Sequence, residues 1–231
     1  MKLLALDTSS VACSVAVGID DAIVERYEEK PREHTRLLLP MIRSVLQESG
    51  VALAELDAIV LGNGPGSFIG MRIAASVAQG LAYGAGLKIV SVSSLAAVAA
   101  QVLAESDAVE VVVTQDAHMS EVYLGCFARN EKGLPVAVFP ERLQAQETIA
   151  ELADEANGAR IAAGTGWDRY PEILEKNRQF IDEISDVQYP CARHLLAIGK
   201  ADYEASKGIA PDKIIPAYLR QKVAEKPAPR I

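Results

Sequence analysis

Short apolar stretches with two different spacings follow one another along this chain of 231 residues. Residues 2–6 predict a first strand, and the alternation of apolar residues over 11–17 predicts a second strand that forms a hairpin with one buried face. Residues 35–49 then place apolar side chains at helical spacing and end before a glycine at the C-cap position. A strand over residues 58–61 follows and ends in Gly-Asn-Gly.

The same order of elements returns in the second part of the chain. Residues 111–115 and 122–126 predict another hairpin, and the apolar positions of its second strand lie at the same offsets from Asp116 as the matching positions lie from Asp7. This order predicts a duplicated α/β architecture with halves at residues 1–105 and 106–231. The remaining predicted elements are helices at 147–156, 69–83, 95–104 and 192–206, strands at 161–163 and 88–91, and a mobile tail from about 224.

Composition narrows the class of protein. Half of the residues are hydrophobic, which excludes wholesale disorder, and no apolar run reaches the ~18 residues of a membrane span. The formal net charge is −8, so nucleic acid is not expected to bind through bulk electrostatics. Three cysteines without metal-ligand spacing favour a reducing cytoplasm, with Cys13 and Cys126 as small buried hydrophobes.

Two strand ends carry candidate ligand-binding turns. Asp7, Thr8 and Ser9 follow the first strand, where a carboxylate, hydroxyls and turn amides could hold a phosphate or a metal-bound water. The alternative is an ordinary Asx turn, in which the aspartate caps its own backbone. Asp116 at the matching place favours a nucleotide cleft between the halves, and His118 beside it is either a base or an inert turn residue.

The segment over residues 62–72 is the richest in glycine. Gly64 and Gly66 permit a close backbone approach, and Ser67 can cap the helix that follows, whose free amides could hold an anion. It is not a P-loop, because no Gly-Lys-Ser/Thr follows. The alternative is a strand-to-helix turn without a ligand.

Two helices are candidates for a protein interface. The helix over 35–49 is apolar around much of its circumference, and the helix over 69–83 is rich in small residues that permit close helix approach. Packing inside the chain's own core is the alternative. The candidate residues are Leu37, Leu38, Met41, Ile42 and Val45 of the first helix, and Ile69, Arg72, Ile73, Ala74, Ala75 and Ala78 of the second.

The sequence contains no motif for metal-dependent or serine-hydrolase chemistry. The three histidines, His34, His118 and His194, lie far apart, and there is neither a His-Glu-x-x-His pair nor a Gly-x-Ser-x-Gly turn. We therefore assign no catalytic residue and no metal site from the sequence.

Several of these segments together resemble the bacterial TsaB (YeaZ) family. The resemblance is carried by Asp7-Thr8-Ser9, Gly64-Pro65-Gly66-Ser67-Phe68, Met71-Arg72-Ile73, Asp116-Ala117 with Glu121-Val122-Tyr123, and Pro216-Ala217-Tyr218-Leu219-Arg220. It implies an acetate kinase/Hsp70/actin-type fold of two βββαβα-like halves with mixed sheets. It also implies a role in making N6-threonylcarbamoyladenosine next to the anticodon of tRNAs that read codons beginning with A.

The resemblance also implies that catalysis belongs to another protein. In that family a paralogue, TsaD, is catalytic and holds a metal through two histidines of its first helix, whereas His34 here has no second histidine at chelating distance. TsaB-type chains pair with TsaD through their first two long helices, help to recruit the ATPase TsaE, and meet tRNA only through the complex. The resemblance implies no cofactor for the chain alone. It leaves open that ATP or ADP binds with Mg²⁺ at the interface with the partner.

Other interpretations stay open at this point. The chain could be an autonomous small-molecule kinase or ATPase that uses Asp7, Asp116 and the turn at 164–166, or, less favoured, a metallopeptidase. Without its partner we expect a homodimer through the same two helices. Lys213, Arg220 and Lys222 either touch tRNA or are simply solvated.

Overall fold

The structure, a computed structural model, describes residues 1–146 and 158–220. The helix predicted at 147–156, the tail predicted from about 224 and Lys222 lie outside the described residues. None of the helices in the described ranges combines the length and apolar character that a membrane span requires.

The first sheet has five strands in the order β3-β2-β1-β4-β5. Its strands are β1 (Lys2–Asp7), β2 (Ala12–Ile19), β3 (Ala22–Glu29), β4 (Ala58–Gly62) and β5 (Lys88–Val92), and the helices of this part of the chain are α1 (His34–Ser49), α2 (Phe68–Ala85) and α3 (Ser94–Glu105). The first three strands are antiparallel, and β4 and β5 run parallel to β1. Strand β3 carried no prediction of its own, since its charged residues hide the alternation.

The second sheet repeats the plan with additions. Its strands are β6 (Glu110–Asp116), β7 (Glu121–Arg129), β8 (Pro135–Ala137), β9 (Arg142–Ala145), β10 (Arg160–Ala163) and β11 (Glu183–Ile184), and its helices in chain order are α4 (Thr165–Arg169), α5 (Pro171–Asn177) and α6 (Ala192–Glu204). The β6–β7 hairpin is antiparallel, and β10 and β11 run parallel to β6. The predicted duplicated α/β fold with two mixed sheets is confirmed.

Helix ends follow the predicted chemistry. Gly50 ends α1 in the left-handed region at φ 66°, where a side chain would be strained, and its amide donates to the carbonyl of Gln47 at 3.2 Å. Ser67 caps α2, because its side-chain oxygen accepts from the amide of Gly70 at 3.2 Å. Both predicted caps are confirmed, and α2 starts one residue before its predicted beginning.

The first hairpin is buried on both faces, which corrects the prediction of a single buried face. Cys13, Val15 and Val17 of β2 pack in the cluster that includes α1 and α2. The alternate residue Ala16 faces a second cluster built around α6, where Gly18 also lies against Leu196. The residues on this second face are small, so the sequence pattern does not mark the face as buried. Small residues nevertheless permit the close approach of a helix.

The halves exchange helices across the centre of the molecule. Helix α3, from the first half, packs against β6, β7 and β10, whereas α6 from the second half packs against β1, β2 and β4, and the two helices contact each other. We therefore use "first lobe" for the first sheet with α1, α2 and α6, and "second lobe" for the second sheet with α3, α4 and α5. The chain-order boundary predicted near 105–109 thus falls between α3 and β6, but both lobes include residues from beyond it.

Candidate functional site

The turn after β1 is closed on itself. Asp7 is 1% exposed, and its Oδ1 accepts from the backbone amide and the hydroxyl of Ser9 at 2.7 and 2.8 Å. Its Oδ2 accepts from the hydroxyl of Ser94, at the start of α3, at 2.6 Å. Burial raises the pKa of the Asp7 carboxyl above its usual range, against the lowering effect of these three donors. The geometry is that of the Asx-turn alternative, with both carboxylate oxygens engaged inside the protein.

The glycine-rich segment over residues 62–72, called the glycine loop below, packs directly against this turn. A side chain at Gly66 would place its Cβ 2.2 Å from the carbonyl oxygen of Ser9, and one at Gly70 would lie 1.9 Å from that of Thr8. The amide of Ser67 donates to the Ser9 carbonyl at 2.6 Å, and the Thr8 hydroxyl donates to the Gly70 carbonyl at 2.7 Å. These glycines therefore permit contact between two backbone segments, and the Ser67 amide that could have faced an anion is used internally.

The matching turn in the second lobe is more open. Asp116 Oδ1 accepts from the amide of His118 at 2.8 Å and from the Tyr170 hydroxyl at 2.9 Å, and Oδ2 lies 3.3 Å from the His118 imidazole. The Asp116 amide donates to the hydroxyl of Thr165 at 3.0 Å. The His118 side chain is 87% exposed, so this turn, unlike the Asp7 turn, presents polar atoms outward.

A cavity of about 1350 Å³ separates the two turns. Ser9, Gly66 and Ser67 line it from the first lobe, and Asp116 lines it from the second. Asp7 and Thr8 are buried behind this wall, as is Gly64. The structure thus brings together about half of the residues predicted for a nucleotide cleft and places the key carboxylate, Asp7, out of reach of the cavity.

The remaining predicted residues are placed individually. The Nε2 atom of His34 lies 2.9 Å from the Ser10 carbonyl, and burial, with the nearby Arg193, lowers the pKa of His194 to about 4. Cys13 and Cys126 are buried, as predicted. Among the residues that the structure describes, no group of three metal-ligating side chains comes together.

The two candidate interface helices divide into a buried and an exposed edge. The side chains that fill the core of the first lobe are Leu38, Met41, Ile42 and Val45 of α1, and Ala74, Ala75 and Ala78 of α2. These seven side chains already cover the first sheet, and of them only Leu38 also lines the groove described below, so their role in an interface stays a prediction. Ile69 is 69% exposed, Arg72 is exposed, and Leu37 and Ile73 are half-buried, so these four remain at the surface.

A groove of about 380 Å³ runs along the exposed edge. Its walls are Thr35, Leu38, Leu39, Ile69, Arg72, Ile73, Ser76 and Val77. Leu39, which is 49% exposed, is its exposed apolar residue from α1; the sequence places it among the apolar residues of this helix, although it was not among the specific interface residues predicted. Helical periodicity separates Leu39 from the buried side chains, because Leu39 lies off the stripe formed by residues 38, 41, 42 and 45.

The sequence missed a strap formed by residues 215–220 beside the cavity. Tyr218 lies against Phe68 with ring centroids 5.7 Å apart, and its hydroxyl accepts from Arg72 Nε at 2.8 Å. Arg220 pairs with Glu121 at 2.5 Å and is largely buried, whereas Lys213 is exposed and pairs with Asp212. No local signal in the sequence reports contacts between residues this far apart in the chain.

Comparison with known proteins agrees with this geometry. The sequence model of the family described as "TsaD: tRNA N6-adenosine threonylcarbamoyltransferase" matches residues 27–227. The proteins named tRNA threonylcarbamoyladenosine biosynthesis protein TsaB from Escherichia coli and Haemophilus influenzae are 36% and 37% identical. Each alignment covers 99% of this chain, with 99% and 98% of the respective relative.

Solved structures match over almost the full length. The structure described as YeaZ from Pseudomonas aeruginosa is 38% identical, with a TM-score of 0.87, over 94% of this chain and 99% of that one. The two lobes with exchanged helices and facing strand-end turns define an acetate kinase/Hsp70/actin-type chain whose first turn is closed. Within that class, the chain belongs to the TsaB (YeaZ) family.

Proposed function

We propose that this chain is a supporting subunit in the transfer of a threonylcarbamoyl group to N6 of the adenosine 3′ to the anticodon in tRNAs that read codons beginning with A. In this proposal it binds a TsaD-type catalytic subunit, helps to recruit a TsaE-type ATPase, and meets tRNA through the complex. Its relatives carry the name of the pathway, which supports the general role.

The α1–α2 groove is the observation that carries the proposal. Ile69 and Leu39 expose much of their side chains to solvent on neighbouring helices, with half-buried Ile73 between them in the groove wall. An exposed apolar groove of this kind favours a partner helix, because burial of its side chains removes apolar surface from water. The same face pairs with a second copy when the catalytic subunit is absent.

The closed Asp7 turn supports the assignment of the chemistry to the partner. A Mg²⁺ ion with its phosphate needs a carboxylate oxygen that faces the ligand, and both oxygens of Asp7 are engaged by Ser9 and Ser94. The residues of the isolated chain therefore do not fit a magnesium–nucleotide complex at this turn. The proposal accordingly assigns ATP or ADP with Mg²⁺ to the interface with the partner.

The decisive test replaces the exposed edge and leaves the core intact. The double variant Leu39→Glu/Ile69→Glu should lose co-purification with the catalytic subunit and lower the threonylcarbamoyladenosine content of tRNA measured by mass spectrometry. Val136→Glu is the matched control, because Val136 is also half-exposed but lies on β8 of the second lobe. Complex formation and modification at the wild-type level in the double variant would refute the proposal.

The autonomous kinase or ATPase remains the second candidate, because Asp116 and Thr165 do face the large interlobe cavity. Calorimetric titration of the isolated chain with magnesium–ATP separates the two. A dissociation constant tighter than about 1 mM, equivalent to about 4 kcal/mol of binding free energy, would favour the enzyme over the supporting subunit.

A further inference from the structure

The strap at residues 215–220 joins the two lobes beside the interlobe cavity, which Tyr218 and Arg220 help to line. The chain enters it from Ile214, which is buried in the core of the first lobe, and leaves it through Leu219, which packs against the core of the second. Asn63, at the end of β4, holds the strap through two hydrogen bonds, from its side-chain nitrogen to the Ile215 carbonyl at 2.9 Å and from the Ala217 amide to its own carbonyl at 3.1 Å. Each end of the strap is thus fixed to a different lobe.

At the first lobe the strap is held by an arginine that stacks on Phe68 and hydrogen-bonds to Tyr218. The Arg72 guanidinium carbon lies 3.5 Å from the ring centroid of Phe68 and 5.5 Å from that of Tyr218. The hydrogen bond from Arg72 Nε to the Tyr218 hydroxyl fixes the strap to the first turns of α2. A guanidinium that stacks on one ring and donates to the hydroxyl of another is a directional anchor, because each contact restricts its orientation.

At the second lobe the strap holds a strained turn. His118, Met119 and Ser120 follow one another in the left-handed region, at φ 59°, 57° and 60°, a conformation that residues with side chains rarely adopt in succession. Arg220 donates to the Ala117 carbonyl at 2.7 Å and pairs with Glu121, so it fastens both ends of this turn. Strain persists only where surrounding contacts maintain it, and Arg220 supplies such contacts from the strap.

Arg72 belongs to two surfaces at once. It anchors the strap through Tyr218, and it forms part of the wall of the α1–α2 groove. A partner that fills the groove therefore contacts the residue that fixes the strap. Two sites that share one side chain are coupled when occupation of the first changes the contacts of the second.

We propose that the strap is a latch that ties the two lobes together beside the interlobe cavity and that a subunit docked in the α1–α2 groove loosens it through Arg72. The coupling rests on the proposed function, whereas the latch itself is a property of the isolated chain. Docking at α1 and α2 thereby changes the spacing of the lobes around a cavity whose lining shares Thr35, Ile69 and Ile73 with the groove.

The test measures the distance between the lobes in the full-length chain by electron–electron double resonance. Spin labels are attached at Gln47→Cys on α1 and Glu175→Cys on α5, both exposed, in a Cys191→Ser background. The buried thiols Cys13 and Cys126 can stay, because burial raises the pKa of each to about 12 and thiolate is the reactive form.

Tyr218→Ala and Arg220→Ala should each shift the distance distribution to longer and broader values, and Tyr218→Phe should have a smaller effect because it keeps the ring. Lys213→Ala is the matched control, since it lies just before the strap and pairs at the surface with Asp212. Circular dichroism confirms folding of each variant. Faster amide exchange of residues 117–121 in Arg220→Ala is the second expected result. Unchanged distances and exchange in both strap variants would overturn the latch.

The coupling is tested by adding the catalytic subunit to the labelled wild-type chain. A shift toward the distribution of the strap variants supports the coupling. A complex that forms without any shift overturns the coupling and leaves the proposed function standing. Failure to form a complex removes the proposed function and the coupling together, and the result on the isolated chain still decides the latch.

Discussion

Leu38 and Leu39 are adjacent in α1 but occupy opposite environments, which makes them a matched pair. Leu38 is 1% exposed and packs in the core of the first lobe, whereas Leu39 is 49% exposed at the groove. Leu38→Ala removes a fully buried side chain and leaves a cavity, so we expect a loss of about 2–5 kcal/mol in the free energy of unfolding. Leu39→Ala removes about half of that burial and gains helix propensity, so we expect a change below about 1 kcal/mol.

Urea unfolding followed by far-ultraviolet circular dichroism measures both values. The midpoint should fall clearly for Leu38→Ala with little change in the slope, and it should stay close to wild type for Leu39→Ala. The fluorescence of Trp167, which is buried in the second lobe, tests whether both lobes unfold together. Equal losses for the two variants would refute the division of α1 into a core edge and a groove edge.

The same pair separates folding from partner binding. Leu39→Ala should weaken binding of the catalytic subunit while the unfolding free energy is retained. Leu38→Ala should lower stability more than it lowers the affinity of the folded fraction. Loss of binding in Leu38→Ala alone, measured well below its unfolding midpoint, would contradict the proposed position of the docking surface.

Three further predictions concern the interior. Gly70→Ala should lose more than about 3 kcal/mol of stability or fail to fold, because its Cβ would meet a carbonyl oxygen at 1.9 Å, whereas Gly84→Ala in the same helix meets nothing within 4 Å and should gain up to ~1 kcal/mol in thermal or urea unfolding. Asp7→Asn should cost about 1–3 kcal/mol, measured in the same way, since an amide cannot accept all three hydrogen bonds; unchanged stability would refute its structural role. The pKa of His194 is lowered to about 4, so the unfolded chain binds its proton first and stability should fall as the pH drops from about 6.5 toward 4. His194→Gln should reduce that acid sensitivity in unfolding midpoints, and an identical pH profile would count against it.

The sequence predicted structural features correctly where the interactions that determine them are local. The α1 and α2 caps at Gly50 and Ser67 were predicted correctly, because each depends on one residue type beside an apolar repeat. Strand β1 and the Gly-Asn-Gly turn follow from a short apolar run and its glycines. The Asp7 turn was left with two interpretations, because the donor that engages its second oxygen, Ser94, lies 87 residues away.

Hydrophobic periodicity does not predict packing between segments that are far apart in the chain. The second buried face of β2 depends on α6, and nothing in the spacing of its alanines and glycine indicates which helix covers them. Arg220 illustrates the same limit, because a cation near the end of a charged segment gives no sign of a contact with Glu121 about 100 residues earlier. The residues predicted for an interface divide in the same way, because periodicity places all of them on two helices but only packing shows which side chains the chain's own core already covers.

Helix α2 links the interior of the first lobe to its surface. Its first turn closes the glycine loop onto Thr8 through the Gly70 carbonyl, and its small residues pack on the first sheet. Two residues beyond that closure, Arg72 lies in the groove wall and holds Tyr218 of the strap. Because a helix transmits displacement along its length as a rigid element, a change in the glycine loop should move the groove and the strap together. A loop residue can therefore affect partner binding without touching the partner, whereas Leu39 acts through direct contact in the groove.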